Sequence, residues 1–519
     1  MVKTASTYDV FILAVGLISI GVAVGLGQLY GPAFYPGASV AWGSIVAAVG
    51  VAFVTITCYF WSVTFPKSGG TYIFLSRGLH PAIGASISVV EAFIVLFYTA
   101  MASVWISTMG LSALFATVGI VYKNPALSHI ATVTASPTGI FTIGSGVLAL
   151  ATWILLTGMK KYFLVQKILF VGAMATTGLV VFVLLGHSQA TFVARFNEVM
   201  AGSIVAENPY EAVIAKAKEA GWTNPGFNWT NTIRFIVWPL IALLGAVLPI
   251  GIGGEVKRIE KSQILGTVGA VISCGGIFAL IAFLSDKTLG YDFQGAIAYN
   301  FFNTPAWSTP GIPYFTLLSG ILTKNLTVTV VVALGFIVWI WFWIPGMMLY
   351  AQRVVVAWAF DRVAPESFGY LSRRNHSPVI AILMTFVVTE IFLAIHAYTS
   401  WFKTLVLFEA SCLNWAVLCL AGIFFPYHRR NIFERSPASQ WQIGRIPVMS
   451  IVAAISCAFF LLCFFLLWTD SIAAGHDPRS LALLGVCYLL GFLLYFIAKA
   501  VRASEGIRIE FMFHEIPVD

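Results

Sequence analysis

Charge is scarce in this chain. Only 10% of its 519 residues are Asp, Glu, Lys or Arg, against 59% hydrophobic. A soluble globule has roughly a quarter of its residues charged, so these few cannot wet the surface of a soluble protein of this size. The mean hydropathy of +0.90 agrees. A soluble enzyme and a disordered scaffold are both excluded. Catalytic signatures are absent too: no GxSxG, HExxH or P-loop occurs, and no GxGxxG follows a strand. The eight histidines are scattered. The seven cysteines (Cys58, Cys274, Cys412, Cys419, Cys457, Cys463 and Cys487) all lie in apolar runs without a CxxC, which argues against disulfides and metal sites. No catalytic residue, metal or other cofactor is expected.

Long apolar runs are what the chain has instead. A run near ~20 residues crosses a bilayer core. Twelve are present, at about 8–30, 39–64, 82–118, 138–157, 162–186, 233–254, 264–285, 326–360, 377–396, 403–425, 446–468 and 480–500. The third and eighth are long enough to be tilted or to extend past the membrane. The first lacks a basic leader and a cleavage site, so it reads as a membrane helix. The net charge of +8 is then a matter of orientation and not of nucleic acid. With the N-terminus inside, 20 of the 29 basic residues fall on cytoplasmic segments and 9 on outer ones. Both termini are therefore expected in the cytoplasm of a multi-pass cell-membrane protein.

Two outer loops are long, at about 187–232 and 286–325. In the first, Asn208-Pro209 supplies a cap and a first-turn proline, and Gly221 a stop, so a short surface helix is predicted. Trp222, Trp229, Trp238 and Trp307 suit an interfacial aromatic belt. Asn228 begins a glycosylation sequon.

Glycine and proline interrupt two spans. The first contains Gly16, Ser19, Gly21, Gly25 and Gly27, and the sixth contains Pro239, Gly245, Pro249, Gly251, Gly253 and Gly254. Each glycine weakens a helix by about 1 kcal/mol relative to alanine, and proline by about 3. Lipid cannot satisfy freed backbone groups, so a broken helix must line a protein cavity. Spans 1 and 6 hold equivalent places in two five-helix halves, the pattern of an inverted-repeat transporter. Close packing of small residues between straight helices is the alternative.

Several motifs resemble the amino acid–polyamine–organocation superfamily of transporters. Pro66-Lys67-Ser68-Gly69-Gly70-Thr71-Tyr72 is similar to its inner-loop signature. Gly254-Glu255-Val256-Lys257 is similar to its acidic-acidic-x-Lys motif, with glycine for the first acid. Arg353, Ala359-Phe360-Asp361-Arg362, Gly506–Glu510 and Glu515-Ile516-Pro517 also resemble family positions. The resemblance implies an all-α integral membrane fold of twelve transmembrane helices in one domain (1–519). It would comprise a 5+5 inverted repeat (about 8–186 and 233–425) with broken helices 1 and 6, two further helices (about 446–500) and a cytoplasmic tail (501–519). It places the helix 1 break on Gly21-Val22-Ala23 and the helix 6 break around Ile241 to Gly245. An amino acid substrate would bind there, against Ile18, Ser19, Gly21, Val22, Ala23, Ile241, Ala242, Leu243 and Gly245.

Physics is consistent with such a site, since free amides at a helix start attract a carboxylate. Two departures stand out. The helix 6 stretch Ile241-Ala242-Leu243-Leu244 has no aromatic ring. Ala173 stands where some relatives have a lysine in helix 5, while Lys167 nearer the cytoplasmic end snorkels. A sodium site is not favoured, because no Ser or Thr lies between Val330 and Phe360.

Three carboxylates fall inside apolar spans: Glu91, Glu390 and Glu409. An ionised carboxylate there costs several kcal/mol unless it is paired or wet, which suits a proton carrier. Glu91 ranks first and Glu409 second, with structural hydrogen bonds as the alternative. Glu255, Lys257, Arg353 and Asp361 would form an ion-pair network closing an inner gate. The expected function is secondary transport of a neutral or apolar L-amino acid with proton coupling, within the lipid bilayer. A cationic amino acid or polyamine becomes the substrate if Glu91 faces the pocket. A channel or a sensor is the reading from another class.

Overall fold

A computed structural model describes residues 3–309, 311–402, 405, 407–473 and 476–513. Glu515, Ile516 and Pro517 lie outside the described residues. Among the described residues, twelve helices are long and apolar enough to cross a membrane. They are α1 (Thr7–Phe34), α2 (Val40–Thr64), α3 (Pro81–Val121), α4 (Pro137–Leu156), α5 (Met159–Gly186), α6 (Trp229–Gly251), α7 (Ile259–Leu289), α8 (Leu326–Phe360), α9 (Val379–Tyr398), α10 (Phe408–His428), α11 (Val448–Thr469) and α12 (Pro478–Ser504). The fold is all-α, as expected. Local chemistry sets most starts. Ser6 and Asp9 make a reciprocal capping box at α1, and Ser136 and Asp477 cap α4 and α12 just before a first-turn proline.

The spans are not equally sheltered. The apolar stretch of α1 is 94% buried and those of α3 and α6 are 78% buried, whereas that of α12 is 28% buried. Protein therefore surrounds α1 and α6, whose backbones break or change winding, and α3, which has a π-helical stretch at Ile106–Ser112, as the need to satisfy freed backbone groups demands.

Helix α1 breaks, although two residues earlier than Gly21. Its segments are Thr7–Ile18 and Ile20–Phe34, separated by Ser19 at φ 55° and ψ 83°. Serine tolerates this left-handed conformation because its hydroxyl donates to the Trp339 carbonyl of α8 at 2.8 Å. The glycines downstream serve packing instead: a Cβ on Gly21 would lie 3.0 Å from the Phe336 ring. Helix α6 changes winding within the expected stretch. Its α-helical part ends at Leu243, and a tighter 3-10 turn containing Pro249 runs from Leu244 to Gly251.

Beyond the spans, helices 189–200, 209–219, 291–303 and 315–323 build a cap with its own apolar core, in which Tyr210 stacks on Phe293 at 4.6 Å. The predicted surface helix is Pro209–Glu219, capped by Asn208. The tryptophan belt is corrected. Trp222 is buried and donates to the Pro32 carbonyl at 3.0 Å, and Trp238 stacks on Tyr30 at 3.9 Å. Their indole N–H groups find protein partners rather than floating at a lipid interface: Trp222 ties the cap to α1, and Trp238 of α6 donates to Tyr35. Lys216 lies over the Trp307 ring, and Trp229 is exposed. Asn228 caps the start of α6 through Asn231.

Candidate functional site

The two irregular helices touch at their irregular points. A Cβ built on Gly245 would sit 2.0 Å from the Leu17 carbonyl oxygen and 2.9 Å from the Ile18 nitrogen. Only glycine allows this approach. Beside the contact lies a cavity of about 50 Å³, walled by Leu17 of α1, Glu91 and Tyr98 of α3, Ile241 and Gly245 of α6, Trp343 of α8 and Trp415 of α10. It holds a few waters at most, each needing on the order of 10–15 Å³, so an amino acid requires the helices to part. The ring missing from α6 is supplied by α3, α8 and α10.

Glu91 is the acidic residue on this cavity. It is buried, and its Oε1 accepts from Asn414 Nδ2 at 2.9 Å. Asn414 is oriented in turn by Tyr488, whose hydroxyl donates to Oδ1 at 2.6 Å. No cationic side chain pairs with Glu91 among the described ion pairs.

Other expected residues fall elsewhere. Gly21 lines a separate apolar pocket with Thr177 and Phe336, and Ala23 lines a third with Gln28 and Asp286. Ile18, Val22, Ala242 and Leu243 are buried in the core. The helix 1 contribution to the Glu91 cavity is Leu17, because the break sits at Ser19 and turns Gly21 away. The segment after the break begins with Ile20, Gly21 and Val22, whose N–H groups have no helical acceptor of their own; the first bond runs from Ala23 to Ser19. Glu409 lies in the first turn of α10, and both its carboxyl oxygens are buried without a hydrogen bond. Glu390 accepts from Ser145 at 2.7 Å between α9 and α4. Asp286, near the end of α7, is a further buried carboxylate, held against the cap. It was hidden at the edge of a hydrophobic run, but α7 continues to Leu289, and Asp286 accepts from Gln294 at 2.9 Å.

The face that bears the N-terminus is closed by backbone. Ala5 N donates to the Glu255 carbonyl at 3.0 Å, Lys257 N to the Ala5 carbonyl at 2.8 Å, and Gly69 N to the Gly251 carbonyl at 3.0 Å. Gly69 and Gly70 take φ values of 125° and 55°, and a Cβ on Gly70 would meet the Tyr350 ring at 2.8 Å. This explains the glycine pair in that motif. Charge adds two buried links, not the single network expected. Arg353 Nε donates to Glu255 at 2.6 Å. Asp361 instead accepts two hydrogen bonds from Arg77, each at 2.7 Å. Arg77 was missed because it sits in a short helix, Thr71–Gly78, with no charge pattern around it. Burial opposes the charge on Arg77, but the hydrogen bonds and charge of Asp361 outweigh it and raise its pKa. Lys257 is exposed and joins neither pair.

Residues 6–493 match a family model described as amino acid permease. A search of curated proteins returned no match.

Proposed function

The chain belongs to the amino acid permease family, a branch of the amino acid–polyamine–organocation superfamily, and we propose that it moves a neutral or apolar L-amino acid by alternating access, with Glu91 as the proton carrier. The family and the multi-span fold support amino acid transport across a membrane. The observation behind the finer reading is the meeting of Leu17, Gly245 and Glu91 on one cavity. When α1 and α6 part, the free N–H groups just past the Ser19 break come within reach of the substrate carboxylate, and carbonyls near Leu243, where α6 tightens, face its ammonium. In this reading the repeats are the two five-helix halves, both termini are cytoplasmic, and the Glu255–Arg353 and Arg77–Asp361 pairs hold the inner side shut.

Glu91 faces the cavity with a neutral partner, so its counter-charge is either a proton or the cargo. The surrounding Tyr98, Trp343 and Trp415 rings favour a second reading, in which a cationic amino acid or polyamine supplies that charge. Proteoliposomes separate the two. Under the first reading an inside-alkaline gradient drives uptake of neutral amino acids, and Glu91→Gln removes that pH dependence while leaving exchange. Under the second, Glu91→Gln abolishes competition by lysine-like amines. The absence of saturable uptake or exchange for every amine-bearing solute would end the transport proposal.

A further inference from the structure

A further cavity, of about 390 Å³, opens on the face that bears the N-terminus. Lys160, Lys161, Arg353 and Arg374 line it, with Glu255 as its acid, and Glu255 is already engaged by Arg353. Among the described residues no ion pair engages Lys160, Lys161 or Arg374. The cavity also receives the start of the 28-residue helix α5. That start is unusual in three ways at once. Its N-cap is Gly158, no side chain caps it, and its first turn holds two lysines and no acid. A helix N-terminus is the positive end of the macrodipole, so cations there are opposed and free N–H groups invite an anion.

An independent sign comes from the opposite wall. Arg353 is 3% exposed and its Nη1 has no hydrogen-bond partner, and neither has Thr4 Oγ1 on the same cavity. Buried groups of this kind are costly to leave unmet. We propose that this cavity is a binding site for a phosphate-class anion. The N–H groups at the start of α5 and the guanidinium and ammonium groups of Arg353, Arg374, Lys160 and Lys161 would share its charge. With Glu255 offsetting Arg353, three cations remain, more than a single carboxylate needs; a multivalent oxyanion matches them. Its source is either a soluble phosphate or the headgroup of an anionic lipid. Because the cavity spans α5, α8 and the N-terminal segment at Thr4, an occupant ties together the elements that close this face.

Thermal unfolding of the purified full chain tests this in two arms. In neutral detergent, inorganic phosphate is titrated at ionic strength fixed with sodium chloride. In phosphate-free nanodiscs, phosphatidylcholine is compared with mixtures containing phosphatidylglycerol. Saturable stabilisation in the first arm identifies soluble phosphate, and stabilisation confined to the second identifies the lipid headgroup. Lys160→Gln with Lys161→Gln weakens the midpoint about tenfold, while Lys216→Gln on the opposite cap leaves it unchanged. Both lysines are exposed, and an unaltered midpoint of unfolding in chloride verifies that the variant folds. No stabilisation in either arm, or stabilisation that survives the double substitution, overturns the proposal. So does an equal effect of a transported amino acid that the same variant removes, which would assign the cavity to substrate release.

Discussion

Gly245 leaves no room for a methyl group, since its neighbour is the backbone of Leu17, which cannot rotate away. Gly245→Ala must push α1 and α6 apart at the point where both change winding. Overpacking of this kind costs about 1–3 kcal/mol, and here the displacement falls on the cavity wall itself. Uptake by Gly245→Ala is expected to fall at least about tenfold, with a lower unfolding midpoint. Gly276→Ala is the control. It lies on α7, where an added Cβ meets nothing within 4 Å, and it leaves uptake at the native level. Native uptake by Gly245→Ala would show that the two helices do not need their contact.

At the scale of elements, the two ion pairs behave as separate locks. Arg353 and Asp361 are eight residues apart along or just past α8, so roughly 12 Å separates them along the axis. Breaking either pair from one side, by Glu255→Gln or Asp361→Asn, leaves a buried guanidinium unpaired and costs about 3–5 kcal/mol. The double variant should cost the sum of the two within about 0.5 kcal/mol. A coupling energy well above that would restore the single network first expected from Glu255, Lys257, Arg353 and Asp361. The Arg77 pair adds no pH switch. Asp361 raises the Arg77 pKa above the ordinary guanidinium value, so its stabilisation is complete below that value and is lost only as pH rises past the folded one.

The elements were also where the sequence spoke most clearly. Length and hydropathy located the twelve spans because burial in lipid leaves an unbroken apolar run. The unusual backbone of spans 1 and 6 was legible in glycine and proline. The position of the first break was not, because it depends on Ser19 reaching Trp339, a contact 320 residues away in the chain. The same reason hid Arg77 from Asp361 and Asn414 from Glu91: each partnership is made by packing, and no local pattern encodes it. Glu91 itself was found by its cost, as a carboxylate in an apolar run.

For the whole molecule, the cysteines make its orientation in the membrane directly measurable. All seven are buried and free, so a membrane-impermeant maleimide should leave the intact native protein almost unlabelled. A cysteine placed at Lys257 stands on the face that bears the N-terminus, and one at Lys218 stands on the cap above the opposite face. Both sites are exposed and outside the spans. The excess of basic residues on the N-terminal side predicts that intact cells label Lys218→Cys and spare Lys257→Cys until they are permeabilised. The reverse pattern would invert the molecule. The phosphate-class cavity would then face outward, and Glu91 would take its proton from the other side. The same two variants in proteoliposomes report the inserted fraction of each orientation, which the uptake experiments need in order to assign a direction to the gradient.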